Sequence, residues 1–314
     1  MEQIPFGTRP LGLGGAFTAV ADDANTINWN PAGLSGLRRT EFTSTYADLY
    51  ALGISQSYIG LVKDISDRIA IGFDWGNIGF DDKELLFSEN KINLSMGIQI
   101  YKGLSFGITS KYLSRDMQLD GTSYGKSSGI GYDVGLLWQA IRRVRFGISL
   151  LDIGGTDVSY KDKTLETVLY QASRFGIAIY PLDNLLFAFD FGDRIHSGAE
   201  LTIANRLTVR AGIQQEKTEN EDFSIYSLGS SIKLNNFIFE YGFESHPYFD
   251  PTHRFSIVLQ FSPAVVSITK SSIAYNPIFR SLHRYYESEP FAKVGLKNIS
   301  DEDVPVNVSL FLPT

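Results

Sequence analysis

Ile92-Asn93-Leu94-Ser95-Met96-Gly97-Ile98-Gln99-Ile100 alternates without a break, apolar at even positions and polar or small at odd ones. Successive side chains of a strand point to opposite faces, so this stretch has one apolar wall and one polar wall. Moving outward along the chain, the pattern repeats. Ile69, Ile71, Phe73 and Trp75 oppose Ala70, Gly72, Asp74 and Gly76, in a strand beginning near Arg68. Val144, Phe146, Ile148 and Leu150 oppose Arg145, Gly147 and Ser149. Phe237, Phe239, Tyr241 and Phe243 oppose Ile238, Glu240, Gly242 and Glu244, and Phe255, Ile257, Leu259 and Phe261 oppose Arg254, Ser256, Val258 and Gln260. From Glu41 to Phe261 the chain reads as about fourteen such segments.

The dividers alternate as well. Tight turns follow even-numbered segments at Lys102-Gly103, Ile141-Arg142-Arg143, Pro181-Leu182-Asp183-Asn184, Asn205-Arg206 and Asn235-Asn236, built from residues suited to turn geometry. Longer polar loops are expected after odd segments, near residues 79–90, 115–127, 154–169, 217–222 and 246–251. Tyr101, Trp138, Tyr180 and Phe261 fall where even segments approach the short-turn rim, the position of an interfacial aromatic girdle. An even set of amphipathic strands with one short-looped and one long-looped rim is the pattern of an outer-membrane barrel.

A soluble double sandwich or propeller also alternates. The segments here are about 9–12 residues long, the length of tilted membrane strands rather than the shorter soluble average. Mean hydropathy is −0.05, as expected when only alternate residues face lipid. No run approaches the roughly 20 apolar residues of a spanning helix. The 314-residue chain has no cysteine, which excludes disulfides and thiol chemistry, and a net charge of −7, which gives no basic stripe for nucleic acid.

The inward wall is rich in glycine, with Gly72, Gly97, Gly107, Gly135, Gly147, Gly176, Gly212, Gly229 and Gly242. Small residues there leave room for another backbone. Inward charges of both signs accompany them: Arg68, Lys111, Arg145, Arg174, Arg210, Lys233 and Arg254 against Asp74, Asp133, Asp190, Glu200, Glu240 and Glu244. Either the lumen is plugged, or these are structural salt bridges lining water.

Residues 1–40 do not alternate. They form a Gly-rich segment with an expected helical turn at Ala21–Ala24 and a tight turn at Asn30-Pro31, and they are the natural plug. Three elements stand in order: Arg9-Pro10-Leu11-Gly12, Ala21-Asp22-Asp23-Ala24 and Trp29-Asn30-Pro31-Ala32-Gly33-Leu34. On these residues the chain resembles the FadL/TodX superfamily of outer-membrane proteins, particularly its PorV/PorQ-like branch. Beyond about residue 40 the resemblance is architectural. It implies an all-β, fourteen-stranded antiparallel transmembrane β-barrel with an N-terminal hatch in the lumen, and Arg9, Asp22, Asp23, Asn30, Pro31 and Ala32 as hatch or gating residues. In the transporters of that superfamily hydrophobic molecules pass through the wall beside a kinked strand. In the PorV branch the resemblance points to type IX secretion and the handling of exported proteins.

Gly76-Asn77-Ile78-Gly79 could weaken pairing and open the wall laterally, with Gly76, Asn77 and Gly79 as its residues, or could simply end the strand. Phe255, Ile257, Leu259 and Phe261 resemble the terminal-strand signal read by the barrel-assembly machinery.

Three regions follow: 1–40 hatch, 41–262 barrel, and 263–314 a periplasmic linker and partial β-rich extension. In the last, Asn276-Pro277 opens an expected short helix through Phe279, Leu282 and Tyr286. Phe291–Leu296 and the run from Val304 look like the first two strands of an immunoglobulin-like module. A hairpin alone is marginal in water, and the chain stops in a strand-like stretch, so a larger domain is expected. Asn298-Ile299-Ser300 and Asn307-Val308-Ser309 are chance glycosylation matches in this setting. No signal peptide is visible before the Gly-rich motif, and export of a barrel implies that one is removed.

His196, His246, His253 and His283 show no metal spacing or nucleophile motif, His196-Ser197 reads as accidental, and Gly12-Leu13-Gly14-Gly15 is no phosphate loop. No enzyme activity, metal or cofactor is expected. The expected partners are outer-membrane lipid, the barrel-assembly machinery, and either hydrophobic small molecules such as long-chain fatty acids or secreted and periplasmic proteins. Two functions compete, hatch-gated uptake and an interaction role in secretion. An apolar pocket in the outer lumen favours the first, and a lumen closed by charge pairs favours the second.

Overall fold

The computed structural model describes residues 6–82, 84–120, 122–159, 165–217, 222–261, 266–273 and 292–298. The alternating segments form the strands β1 (Thr40–Leu49), β2 (Ile54–Ser66), β3 (Ile69–Asp81), β4 (Leu85–Tyr101), β5 (Leu104–Leu119), β6 (Thr122–Ile141) and β7 (Val144–Leu151). A small hairpin follows, β8 (Thr156–Ser159) and β9 (Leu165–Leu169). The ring resumes with β10 (Ala172–Leu182), β11 (Leu185–Phe191), β12 (Ile195–Ile203), β13 (Leu207–Lys217), β14 (Asp222–Leu234), β15 (Phe237–Glu244) and β16 (Thr252–Phe261). Every ring neighbour pairs antiparallel, and β1 closes on β16 from Thr40↔Phe261 to Asp48↔His253, giving a fourteen-stranded barrel with the β8–β9 hairpin attached to β6 through the pair Ser128↔Ser159.

Burial separates the two walls. Leu94, Ile130, Phe255 and Phe237 are exposed on the outside, whereas Asp74, Asn93, Thr109 and Asp133 are buried inside. Apolar side chains outside and polar ones inside invert the soluble arrangement and match a lipid-facing band.

Four expectations are corrected. The stretches at 79–90 and 115–127 are mostly strand, because their polar side chains pair across the ladder: Arg115 donates to Glu89 at 2.5 Å, and Asn77 to Ser88 at 3.0 Å. Tyr180 faces inward against the buried Leu13–Phe17–Val20 cluster, since its strand shows Phe175, Ile177 and Ile179 on the opposite parity. Arg68 sits exposed in the β2–β3 turn rather than on the inner wall. The N-terminal helical turns fall on α1 (Thr8–Gly12) and α2 (Thr26–Trp29), not Ala21–Ala24. Asn30 then caps a 3-10 helix, Pro31–Gly36, accepting from Ala32 N at 3.1 Å. Proline at the first helical position costs no hydrogen bond there.

Residues 262–314 form a separate compact unit. In it, β17 (Val266–Ile273) pairs antiparallel with β18 (Ala292–Asn298). The partner of the 291–296 stretch is therefore an earlier strand that the sequence reading did not identify. The expected helix, the closing run from Val304 and His283 lie outside the described residues.

Candidate functional site

The N-terminal segment runs through the lumen, and its path is drawn by the inward glycines. Added Cβ atoms would meet Thr8 from Gly242 at 3.0 Å, Gly12 from Gly229 at 3.3 Å, and Leu34 from Gly97 at 2.8 Å. At Gly107 and Gly135 they would overlap Pro31 and Asn30, and at Gly147 and Gly212 they would overlap Thr18 and Gly14. These absent side chains are the space that the segment fills. On the segment itself, Gly14 (φ +65°) and Gly15 (φ +79°) turn the chain after α1. Gly14 needs glycine twice over, because a Cβ would also lie 2.6 Å from Ile213 N.

Polar contacts fasten the segment to the wall. Arg9 donates from Nε and Nη2 to the two carboxylate oxygens of Glu200 at 2.8 and 2.9 Å, a bidentate fork. Its Nη1 reaches Asp22 at 2.5 Å and Asp23 at 2.9 Å. Burial alone lowers the Arg9 pKa, but the fields of Asp22, Glu200 and Asp23 outweigh it and raise the group well above its ordinary value, so it stays charged. Glu200 also accepts from Arg210 at 2.6 Å. Asp190 accepts from the backbone N–H groups of Phe17 and Thr18 at 3.0 and 2.9 Å. Asn28 donates to Asp74 at 2.5 Å, and Asn30 donates to Thr18 O at 2.7 Å and Leu136 O at 3.0 Å. Of the residues singled out in the sequence, Arg9, Asp22 and Asp23 converge on one ion cluster. Asn30, Pro31 and Ala32 lie together against the walls of β5 and β6. The wall partner Glu200 was read as an inward charge but not as the partner of Arg9, because it lies 191 residues away.

Beside the ion cluster, on the short-turn side, lies a polar cavity of about 460 Å³ lined by Arg9, Asp23, Glu41, Glu200, Arg210 and Glu240. Higher in the lumen, Phe6 stacks on Tyr58 at 5.4 Å, and Lys111 bridges Asp133 at 2.7 Å and Asp152 at 2.8 Å. Asp152 was not singled out, since it follows the last strand residue and reads as a loop.

At Gly76, Asn77 and Gly79, read in the sequence as a possible lateral opening or as the end of the strand, β3 continues to Asp81. Both ladders continue through these residues in register: Tyr58↔Gly76, Ser57↔Asn77 and Ser55↔Gly79 on one side, and Gly76↔Lys91, Asn77↔Asn90 and Gly79↔Ser88 on the other. Gly76 is bare for a different reason, since its Cβ would lie 2.6 Å from the Phe6 ring. His196 points inward and meets Gly14 O at 2.7 Å, whereas Ser197 belongs to the other face of β12, so the two form no dyad.

No family model matches the chain, and no curated protein sequence matches it. Solved structures do. The chain is similar to the CymD monoaromatic hydrocarbon channel, with TM-score 0.61 and 16% identity, over 83% of this chain and 98% of that one. It is similar to a Pseudomonas aeruginosa FadL homologue, with TM-score 0.57 and 11% identity over 82% and 98%. The Ralstonia pickettii toluene transporter TbuX gives TM-score 0.55 and 14% identity over 82% and 98%. At these identities the likeness is one of fold.

Proposed function

We propose that this protein is a bacterial outer-membrane channel for hydrophobic small molecules, with residues 6–37 as a hatch and the described conformation as its shut state. The observation that carries this reading is how the lumen is filled. A ring of fourteen strands encloses a segment fastened by an Arg9–Glu200 fork and by hydrogen bonds such as those of Asn28 and Asn30. The segment also buries Leu13, Phe17 and Val20 against β10 and β11 and Ile27 and Leu34 against β2 and β3, so opening would move these apolar contacts together with the polar ties. Its fold is that of proteins known as hydrocarbon channels and transporters. In this reading Arg9, Asp22 and Asp23 latch the hatch and Asn30, Pro31 and Ala32 seat it. Phe255, Ile257, Leu259 and Phe261 serve as the signal to the barrel-assembly machinery. Thr40 and Phe261 leave the ring side by side on the short-turn rim, so residues 263–314 would lie in the periplasm.

A second reading, a PorV/PorQ-like interaction role in type IX secretion, is favoured by the unbroken β3 ladders and by the Lys111–Asp133–Asp152 closure of the outer lumen. The two separate in one preparation. Detergent-extracted protein and a variant lacking residues 1–34 are compared by mass spectrometry of co-purified molecules. A stoichiometric hydrophobic compound, lost with the hatch, supports the channel. A stable protein partner without such a compound supports the secretion role.

A further inference from the structure

The polar cavity on the short-turn side, about 460 Å³, has the volume of a small-molecule site. Its barrel wall is built from cross-strand rows. Glu200 pairs with Arg210 in the innermost row, Ser231 with Glu240 in the next, and Lys233 with Ile238 nearer the rim. Arg206, in the turn between β12 and β13, lines the mouth, and the hatch contributes Arg9 and Asp23.

Most charges here are already paired. Asp23 and Glu200 hold Arg9, and Arg39 donates to Glu41 at 2.7 Å. Three are not. Glu240 is 7% exposed, yet among the described residues its one polar contact is Arg210 Nη2 at 3.5 Å, well beyond a charge-assisted hydrogen bond. The Lys233 ammonium reaches the neutral Oε1 of Gln260 at 3.2 Å. Neither it nor the Arg206 guanidinium has a carboxylate within 4 Å among the described residues. A carboxylate taken out of water is costly unless hydrogen-bonded. Glu240 is therefore an acceptor held ready deep in the cavity, while the spare positive charge stands at the mouth. Beside both lies an apolar strip, the ladder pair Ile238↔Val258.

The ladders from β12 round to β1 run past this height without a register shift. The wall thus separates the cavity from the bilayer, and an occupant enters from water at the rim.

We infer that this cavity binds a small water-soluble zwitterion of the amino-acid class. Its ammonium group donates to Glu240, its carboxylate accepts from Lys233 and Arg206, and its aliphatic stem lies along Ile238 and Val258. A simple anion would leave Glu240 without a donor, and a simple cation would leave the mouth unmatched. An apolar molecule would desolvate all three charges and return no hydrogen bond. Arg9 and Glu200 form the adjoining wall, so the occupant rests against the latch of the hatch. The assignment does not require the barrel to conduct anything, and it stands or falls apart from the channel reading.

Isothermal titration calorimetry on the detergent-purified chain tests it, with 4-aminobutyrate as the probe and butyrate and butylamine as its single-charge halves. 4-Aminobutyrate should bind at least about tenfold more tightly than either, the equivalent of roughly 1.4 kcal/mol. Glu240→Gln should weaken it roughly tenfold, as should Lys233→Met on an exposed side chain, each removing one charge-assisted hydrogen bond. Lys102→Met, in the turn between β4 and β5, should change nothing. Heat-modifiability on gels verifies the barrel in every variant, and if Glu240→Gln fails to assemble, Lys233→Met decides. Butyrate or butylamine binding as tightly as 4-aminobutyrate would overturn the inference. So would an affinity indifferent to the substitutions, or no heat from 4-aminobutyrate, glycine or L-lysine up to about 10 mM.

Discussion

The guanidinium of Arg9 and the carboxylate of Glu200 meet through two parallel hydrogen bonds, 2.8 and 2.9 Å long, joining the N-terminal segment to strand β12. Both side chains are mostly shielded, at 14% and 12% exposure, so the pair is little screened. The same guanidinium also reaches the carboxylates of Asp22 and Asp23, so one side chain ties the segment to the wall and to itself.

Arg9→Met leaves Glu200 with Arg210 alone and strips Asp22 and Asp23 of their nearest cation. Removing one member of a shielded ion network should cost about 3–5 kcal/mol. Because the barrel ladders are untouched, the cost should fall on the seating of the segment. Limited proteolysis should cut residues 6–37 readily in the variant while the barrel resists heating in detergent. A segment as protected as in the parent would refute the latch.

Gly107→Ala puts a methyl group into the peptide between Pro31 and Ala32, where backbone cannot yield as a side-chain tip would. Overpacking of this kind costs about 1–3 kcal/mol, and more where nothing can move. The expected result is a displaced 3-10 helix with larger single-channel conductance in planar bilayers. Gly36→Ala, where a Cβ would meet nothing within 4 Å, should leave conductance at the parent level.

Asn77 and Ile78 should show slow amide exchange, comparable with Leu94 and Met96. Their strand is paired on both sides without a register shift at those positions, and protection follows the free energy of local opening. Exchange as fast as in the 246–251 turn would restore a gap in β3.

Ile257→Arg places a charge on the lipid face of β16, where the parent side chain is 46% exposed outward. An arginine near the bilayer midplane costs about 2–4 kcal/mol in such barrels. Assembly into vesicles should fall steeply, whereas Ser256→Ala on the opposite, buried face should assemble normally. Equal assembly of the two variants would show that this face does not contact lipid.

The barrel itself was legible in the residues. Ile92 to Ile100 and Phe255 to Phe261 sorted their faces correctly, and the glycines of the inner wall announced that something would fill it. The hairpin attached to β6 was not legible. Residues 154–169 are polar and carry turn formers, and nothing local distinguishes a loop lying outside from a strand set against Gly129 and Gly131. Gly76 misled for a related reason: a bare position reads the same whether it weakens a ladder or makes room for Phe6.

What the sequence determined by itself was periodic and local: which side of most strands meets lipid, about how many strands there are, and where the short turns fall. These follow from a two-residue repeat that each segment carries whole. Only the closed ring decided that Arg9 would find Glu200, that Asp152 would join Lys111 and Asp133, and that β7 would stop short of the height of β6. Those relations depend on register accumulated around fourteen strands, and a one-residue slip anywhere would exchange inner for outer side chains and dissolve them.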